Sequence, residues 1–192
     1  MKNILILDAS GNIASNVIDL LWSKDNIRLN LFLRKASRLR NRLQNNARII
    51  EGDVLVLDDL GEAMTGIDIV YANLAGDLGQ MAQNIVTVMD EKGVKRLIFI
   101  SSIGIYDVPL KPVLKPYRKA ADIIEASDLD YTILRPTWFT DADEVNYELT
   151  KKGEPERGSV VSQKSLATFI ANIVTSPEQY IRENLGINKP HS

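Results

Sequence analysis

The stretch Lys2-Asn-Ile-Leu-Ile-Leu-Asp8-Ala-Ser-Gly11-Asn-Ile-Ala14 decides the reading of this chain. The apolar run Ile4 to Leu7 is short and continuous, the pattern of a strand covered on both faces. A turn of small residues follows. Beyond it Ile13, Val17, Ile18 and Leu21 recur at helical spacing and form one apolar face. A strand, a glycine-containing turn and a helix form the unit that sets a dinucleotide pyrophosphate on a helix N-terminus. Three small positions spaced by three belong to that unit, and here they are Asp8, Gly11 and Ala14, of which only the middle one is glycine.

The same alternation continues outward. Ile27–Leu33 is a second strand, followed by Arg34, Lys35 and a helical stretch to about Gln44. Ala47–Glu51 is a third strand closed by Gly52-Asp53, and Asp58–Met64 is a helix stopped by Gly66. Asp68–Ala72 is a fourth strand, and Leu78–Glu91 is a helix ended by Gly93. Lys95–Ser101 is a fifth strand. Pro116–Ser127 is a helix that tolerates its proline in the first turn. Tyr131–Arg135 is a sixth strand, stopped by Pro136. Such alternation predicts an α/β fold, a doubly wound, Rossmann-type parallel sheet with helices on both faces. From Thr137 the pattern weakens. It holds an acidic patch at Asp141–Glu144, a basic pair at Lys151-Lys152, both read as solvated loop charge, and a helix over Ser165–Thr175 ended by Pro177. No linker or low-complexity stretch divides the chain. Residues 1–192 are therefore expected as one domain, with 137–192 as its smaller, substrate-side portion.

Composition narrows the chemistry. The chain has 192 residues, 45% hydrophobic and 25% charged, with a formal charge of −2. There is no basic surplus to draw nucleic acid or a membrane surface, and no apolar run approaches a membrane span. No cysteine is present, which excludes disulfides, thiol nucleophiles and cysteine-held metals. The one histidine, His191, is next to the C-terminal residue, so histidine zinc sites and a histidine-based triad are not expected. The first strand begins at residue 2 or 3, which predicts a cytoplasmic protein without a signal peptide. No metal site is expected.

In a doubly wound sheet, ligands lie at the carboxyl ends of the strands. The residues just past each strand are therefore the candidates. Ser10, Gly11, Asn12 and Ile13 form the turn at the first helix. Arg34 follows the second strand, where an acidic side chain would hold an unphosphorylated ribose. A guanidinium there suits a ribose 2′-phosphate, with Lys35 and Arg38 adding charge. The alternative is a set of solvated surface bases. Asp53 and Val54 follow the third strand: Asp53 either accepts from an adenine amino group or forms the turn after Gly52. Asn73 either bonds a ribose or makes a turn. Ser101 and Ser102 end the fifth strand, where a hydroxyl faces the reacting end of a nicotinamide or closes the strand on backbone. Lys119, on the next helix, either holds ribose hydroxyls or is solvated. Tyr106, Pro136, Trp138 and Phe139 are candidates for a substrate pocket, the two aromatics alternatively for core filling.

These residues resemble the atypical short-chain dehydrogenase/reductase group, in its NmrA-like, NAD(P)H-binding branch, over nearly the whole chain. That family's Gly-Ala-Thr-Gly-Asn-Ile-Gly-like turn is matched by Asp8-Ala-Ser-Gly11-Asn-Ile-Ala14. Its arginine after strand two is matched by Arg34, and its Gly-Asp-Val by Gly52-Asp53-Val54. Its Ser-Ser-x-Gly-x-Tyr is matched by residues 101–106, and its sixth-strand signature by Ser127-Asp-Leu-Asp-Tyr-Thr-Ile-Leu-Arg-Pro136. The resemblance implies NADP(H) bound across the strand ends, with Ser102 and Lys119 near the nicotinamide as catalytic residues. It implies an oxidoreductase that reduces a small carbonyl, quinone or flavin-like acceptor, or else a non-catalytic NADP(H)-sensing regulator with a protein partner. Three departures fall on the site. Asp8 puts a carboxylate where the pyrophosphate is expected. Ala14 replaces the last glycine. The position four residues before Lys119 is Lys115, so the superfamily's Tyr-x-x-x-Lys pair is absent; Tyr117, two residues away, is turned about 200° from Lys119 on a regular helix.

Overall fold

The computed structural model describes residues 1–39 and 47–192. Its strands and helices follow the chain as β1 (Lys2–Leu7), α1 (Asn12–Leu21), β2 (Ile27–Leu33), β3 (Arg48–Glu51), α2 (Leu57–Ala63), β4 (Ile69–Ala72), α3 (Leu78–Lys92), β5 (Arg96–Ile100), α4 (Lys115–Glu125) and β6 (Asp130–Pro136), then β7 (Trp138–Thr140), β8 (Glu148–Lys151), β9 (Val160–Ser162), α5 (Gln163–Thr175) and β10 (Glu183–Asn188). The helical stretch expected to run to about Gln44 lies mostly outside the described residues; its described start, Ala36–Arg38, is a single 3-10 turn.

The main sheet has eight strands in the order β3-β2-β1-β4-β5-β6-β10-β8. Neighbours from β3 through β10 pair in parallel, and β8 closes the edge antiparallel to β10. The order reverses at β1, which pairs with β2 on one side and β4 on the other. A crevice opens above such a switch point. Beyond β6 the sequence reading corrects in detail. Four strands lie there, two of them forming a separate small sheet, β7 with β9.

The core follows from the two-residue period of strands. Ile4 and Ile6 point to the face covered by α1 and α5, whereas Leu5 and Leu7 point to the face covered by α2, α3 and α4, and all four are fully buried. Ile13, Val17, Ile18 and Leu21 bring α1 onto the first face. Burying each such side chain contributes about 1.5–3 kcal/mol. The helix ends are set locally. The Asp77 side chain accepts the Gln80 N–H at 3.2 Å to start α3, and Gly93, at φ +69°, ends it. Ser162 accepts the Ser165 N–H at 2.9 Å to start α5. Arg96 ties the sheet's far half together. Its guanidinium donates to the Asp130 carbonyl (2.7 Å), Thr132 Oγ1 (2.8 Å) and the Gln179 carbonyl (2.9 Å). Among the described residues no helix is long and apolar enough to cross a membrane.

Candidate functional site

The turn after β1 is built on one unusual backbone position. Asp8 has φ +58°, in the left-handed region, which asparagine and aspartate tolerate better than most residues. Gly11 has φ −69° and caps α1; its N–H donates to the Asp8 carbonyl at 3.2 Å. The conformational demand of the turn therefore falls on position 8, not on the remaining glycine. The Asp8 carboxylate accepts from Ser10 Oγ at 2.9 Å. Ser10 is thus committed within the turn, while Asn12 and Ile13 open α1. Across the groove stands Asn73. A Cβ on Gly11 would lie 3.9 Å from its Nδ2, so a side chain here would begin to fill the space between β1 and β4.

A narrow cleft runs over the ends of β1, β2 and β3. Asp8, Leu33, Arg34, Asp53, Val54 and Ala75 are among the residues that line it. Its wall is a close approach. A Cβ on Gly52 would come within 2.7–2.8 Å of the Phe32 ring, so glycine is what lets the ring lie there. The loop bearing Asp53 and Val54 is held on both sides. Asp59 accepts the Asp53 N–H (2.8 Å), one Asp53 oxygen accepts the Leu55 N–H (2.9 Å), and Asn84 on α3 donates to the Val54 carbonyl (3.0 Å). Asp53 therefore does make the turn, and it also lines the cleft. Arg34 is exposed, with no ion-pair partner among the described residues. Lys35 is exposed beside it, and the Ala36 N–H donates to Glu51 at 2.6 Å, fixing the segment.

Asp8 is where the structure departs most from expectation. It lines this cleft together with Arg34 and Asp53, over the ends of β2 and β3. The helix N-terminus, where a pyrophosphate belongs, begins four residues later at Asn12.

At the other half of the sheet edge, Ser101 and Ser102 divide their roles. The Ser101 N–H donates to the Leu134 carbonyl at 2.7 Å and closes the strand. Its hydroxyl is buried and has no hydrogen-bond partner among the described residues. Ser102 Oγ is half-buried and donates to the Ile103 carbonyl at 3.1 Å. Sequence reasoning singled out Ser102, yet Ser101 carries the orphan hydroxyl. The Tyr71 hydroxyl on β4 is also buried without a bonding partner among the described residues; Asn73 is its polar neighbour but does not reach hydrogen-bond geometry, and burial pushes the phenol well above its ordinary range. The two hydroxyls lie on different faces of the sheet, Tyr71 on the α1–α5 face with Ile98 and Ser101 in line with Leu97 and Phe99 on the other, so only Ser101, just past the end of β5, is placed as a candidate for a ligand at the strand ends.

The remaining candidates are spread apart. Lys119 is exposed, and its methylene stem covers Gly79 in the first turn of α3. Tyr117 is half-buried against the α3–α4 side of the core. Pro136 is buried in the sheet opposite Ile187, and its carbonyl accepts the Ile103 N–H at 3.1 Å, so it fixes the segment after β5 instead of walling a pocket. Trp138 and Phe139 stand on β7 and are 80% and 46% exposed, which excludes core filling. Tyr106 is occupied structurally. Its hydroxyl receives from Asn184 Nδ2 (2.7 Å) and donates to Glu125 (3.3 Å). Arg118, Arg135 and Lys152 lie 4.8, 5.3 and 4.9 Å from its ring centroid. Burial, and then the Glu125 charge, raise its pKa against the opposing pull of Lys152 and Arg135.

Beneath this lies a pair the sequence did not reveal. Arg135 is buried in β6, and its Nε donates to Glu156 at 2.7 Å while Nη1 donates to the Asn184 carbonyl at 2.9 Å. The second Glu156 oxygen accepts the Gly104 N–H at 2.9 Å. One carboxylate thus joins β6 to the segment that carries Ser101 and Ser102. A wider cleft of about 520 Å³ opens between α1, residues 140–143 and α5; it touches the turn through Asn12. Among the described residues, no group of three or more His, Asp or Glu side chains is placed to hold a metal ion.

Comparison with known proteins agrees with this fold. A family model described as NAD(P)H-binding matches residues 9–177. A Rossmann-fold NAD(P)-binding family protein from Shigella flexneri is 49% identical, with a TM-score of 0.94, over 100% of this chain and 95% of that one. A short-chain dehydrogenase/reductase from Veillonella parvula DSM 2008, solved in complex with NADP, is 25% identical with a TM-score of 0.90, over 99% and 95% of the two chains. The divinyl chlorophyllide a 8-vinyl-reductase of Cucumis sativus is 27% identical over 98% of this chain and 53% of that protein. The chain thus spans about half the length of that curated relative.

Proposed function

The chain belongs to the NAD(P)H-binding family, and from that premise we propose that it is an NADPH-dependent oxidoreductase of the NmrA-like type that reduces a small carbonyl, quinone or flavin-like acceptor. The observation that carries the cofactor half of this reading is Arg34. An exposed guanidinium at the end of β2, without an ion-pair partner among the described residues and in one cleft with Asp53 and Val54, suits a ribose 2′-phosphate. In this reading the Asn12 and Ile13 amides at the start of α1 hold the pyrophosphate, and Asn73 and Ser101 donate to the ribose and nicotinamide side. When bound, the nicotinamide supplies the hydride. The chain's own residues bind, orient and set the local electrostatics. Glu156 and Pro136 hold the segment after β5 against β6 so that its serines keep their positions. Lys119 lays its methylene stem on Gly79 in the first turn of α3 and adds positive charge there. Two findings support reduction as the chemistry: the Cucumis sativus relative is named as a reductase, and the NADP-bound Veillonella parvula neighbour as a dehydrogenase/reductase. The acceptor is proposed as a free small molecule.

A second reading, an NADP(H)-sensing regulator without turnover, draws on two observations: Lys119 packs on Gly79, and no tyrosine stands four residues before it. NADPH consumption against a panel of quinones, flavins and aldehydes separates the two. The oxidoreductase reading expects turnover with at least one acceptor class, reduced in Ser101→Ala and Ser102→Ala and kept within about threefold in Tyr117→Phe. NADPH binding with no turnover across the panel favours the sensor.

A further inference from the structure

We infer that Asp8 reads the adenosine ribose of the bound nucleotide and restrains the preference for a 2′-phosphate that Arg34 creates. This rests on the cofactor reading above. Three observations carry it. Asp8 takes a left-handed backbone at the point where the chain leaves β1 beside β2: Leu7 pairs with Phe32, and the Ala9 N–H donates to the Phe32 carbonyl at 3.1 Å. It lines the narrow cleft together with Leu33, Arg34 and Asp53, and that cleft lies over the ends of β2 and β3, where the adenosine half belongs. Ser10 is its hydrogen-bond partner, through one carboxylate oxygen, so the acid retains acceptor capacity.

The chemistry follows from the pairing of signs. The hydroxyls of an unphosphorylated ribose donate to a carboxylate and give nothing to a guanidinium that it cannot obtain from water. A 2′-phosphate is drawn to Arg34 and repelled by Asp8. NAD binders place an acidic side chain at the end of the second strand; here the same function comes from the end of the first, while the second carries arginine. A site with both charges accepts NADH as well as NADPH, and prefers NADPH less than Arg34 alone would make it.

The test compares dissociation constants of NADPH and NADH for the native protein and Asp8→Asn by calorimetry. Thermal melting of both proteins serves as the control for folding. Asparagine tolerates the left-handed backbone and still accepts from Ser10, so the turn is preserved. Asp8→Gly, which also suits that backbone, is the second variant. The expected result is movement in opposite directions: NADPH binds more tightly, NADH more weakly, and the preference widens by about tenfold or more. Equal tightening of both overturns the inference, because a carboxylate facing the pyrophosphate acts on a group the two nucleotides share. No change in either, with a lower melting temperature for Asp8→Asn, also overturns it and leaves Asp8 as a turn cap. Binding of neither nucleotide to the native protein overturns the proposed function itself, and this inference with it.

Discussion

Glu156→Ala is the perturbation that most directly tests how the segment after β5 is held. The Arg135 side chain is 1% exposed and its Nε lies 2.7 Å from Glu156, whose side chain is 22% exposed. Removing the carboxylate leaves a buried guanidinium with Asn184 as its hydrogen-bonding neighbour, and it orphans the Gly104 N–H. Breaking a buried pair in this way costs about 3–5 kcal/mol. The partial exposure of Glu156 lets water repay some of that, so about 2–4 kcal/mol is expected. For a chain of this size, a loss of about 3 kcal/mol lowers the melting temperature by roughly 6–12 °C. Thermal melting followed by circular dichroism, with urea unfolding alongside, gives both numbers. Two further variants locate the cause. Lys151→Ala removes an exposed pair with Glu183 at 3.7 Å and is expected to cost under about 1 kcal/mol. Arg135→Met combined with Glu156→Ala removes both charges and is expected to recover part of the loss. A Glu156→Ala protein that melts within about 2 °C of the native one refutes the reasoning, since the pair would then be no more than a surface contact.

Arg34→Ala is expected to weaken NADPH binding by about tenfold to a hundredfold and NADH binding far less, measured by calorimetric titration. Gly52→Ala drives a methyl into the Phe32 ring at 2.7–2.8 Å; a loss of about 1–3 kcal/mol in urea unfolding is expected, with weakened nucleotide binding as the ring turns into the cleft. Burial raises the pKa values of Tyr106, Tyr131 and Tyr147 above 10.0. The native state therefore holds these protons more tightly than the unfolded chain. Stability from this source is complete below the ordinary tyrosine pKa and declines as pH rises through the raised values, so unfolding scans above pH 10 are expected to show the loss, smaller in Tyr106→Phe than in the native protein.

The first six strands were legible because each signal was local. Continuous apolar runs such as Leu97–Ile100 mark strands buried on both faces, and Gly93 stops α3 with a positive φ. Past Pro136 the signals fail for identifiable reasons. In β10, Leu185 and Ile187 do alternate at period two, but Asn184 and Asn188 are buried as well, and Asn184 serves Arg135 and Tyr106. A hydrophobicity pattern sees only half of such a strand. β7 and β9 have three residues each, too few for any period. The same contrast holds in the site. Arg34 and the Gly52-Asp53-Val54 segment were found from their places at strand ends. The orientation of Asp8 depends on a backbone angle; the family's glycine at that position was the available signal. Glu156 lies 21 residues from Arg135 and in no motif, so nothing in the chain announces their contact. Pro136 and Tyr106 were at the right end of the sheet, but a position past a strand does not reveal which way a side chain is spent.

In the proposed function the ends of β1 to β6 form one nucleotide site with Arg34 at its phosphate-selecting end. Calorimetric titration of the native protein with NADPH, and with NADH under the same conditions, tests it most directly. Saturable binding of one NADPH per chain, tighter than that of NADH, is expected. Absence of binding by either, or tighter binding of NADH, would contradict it.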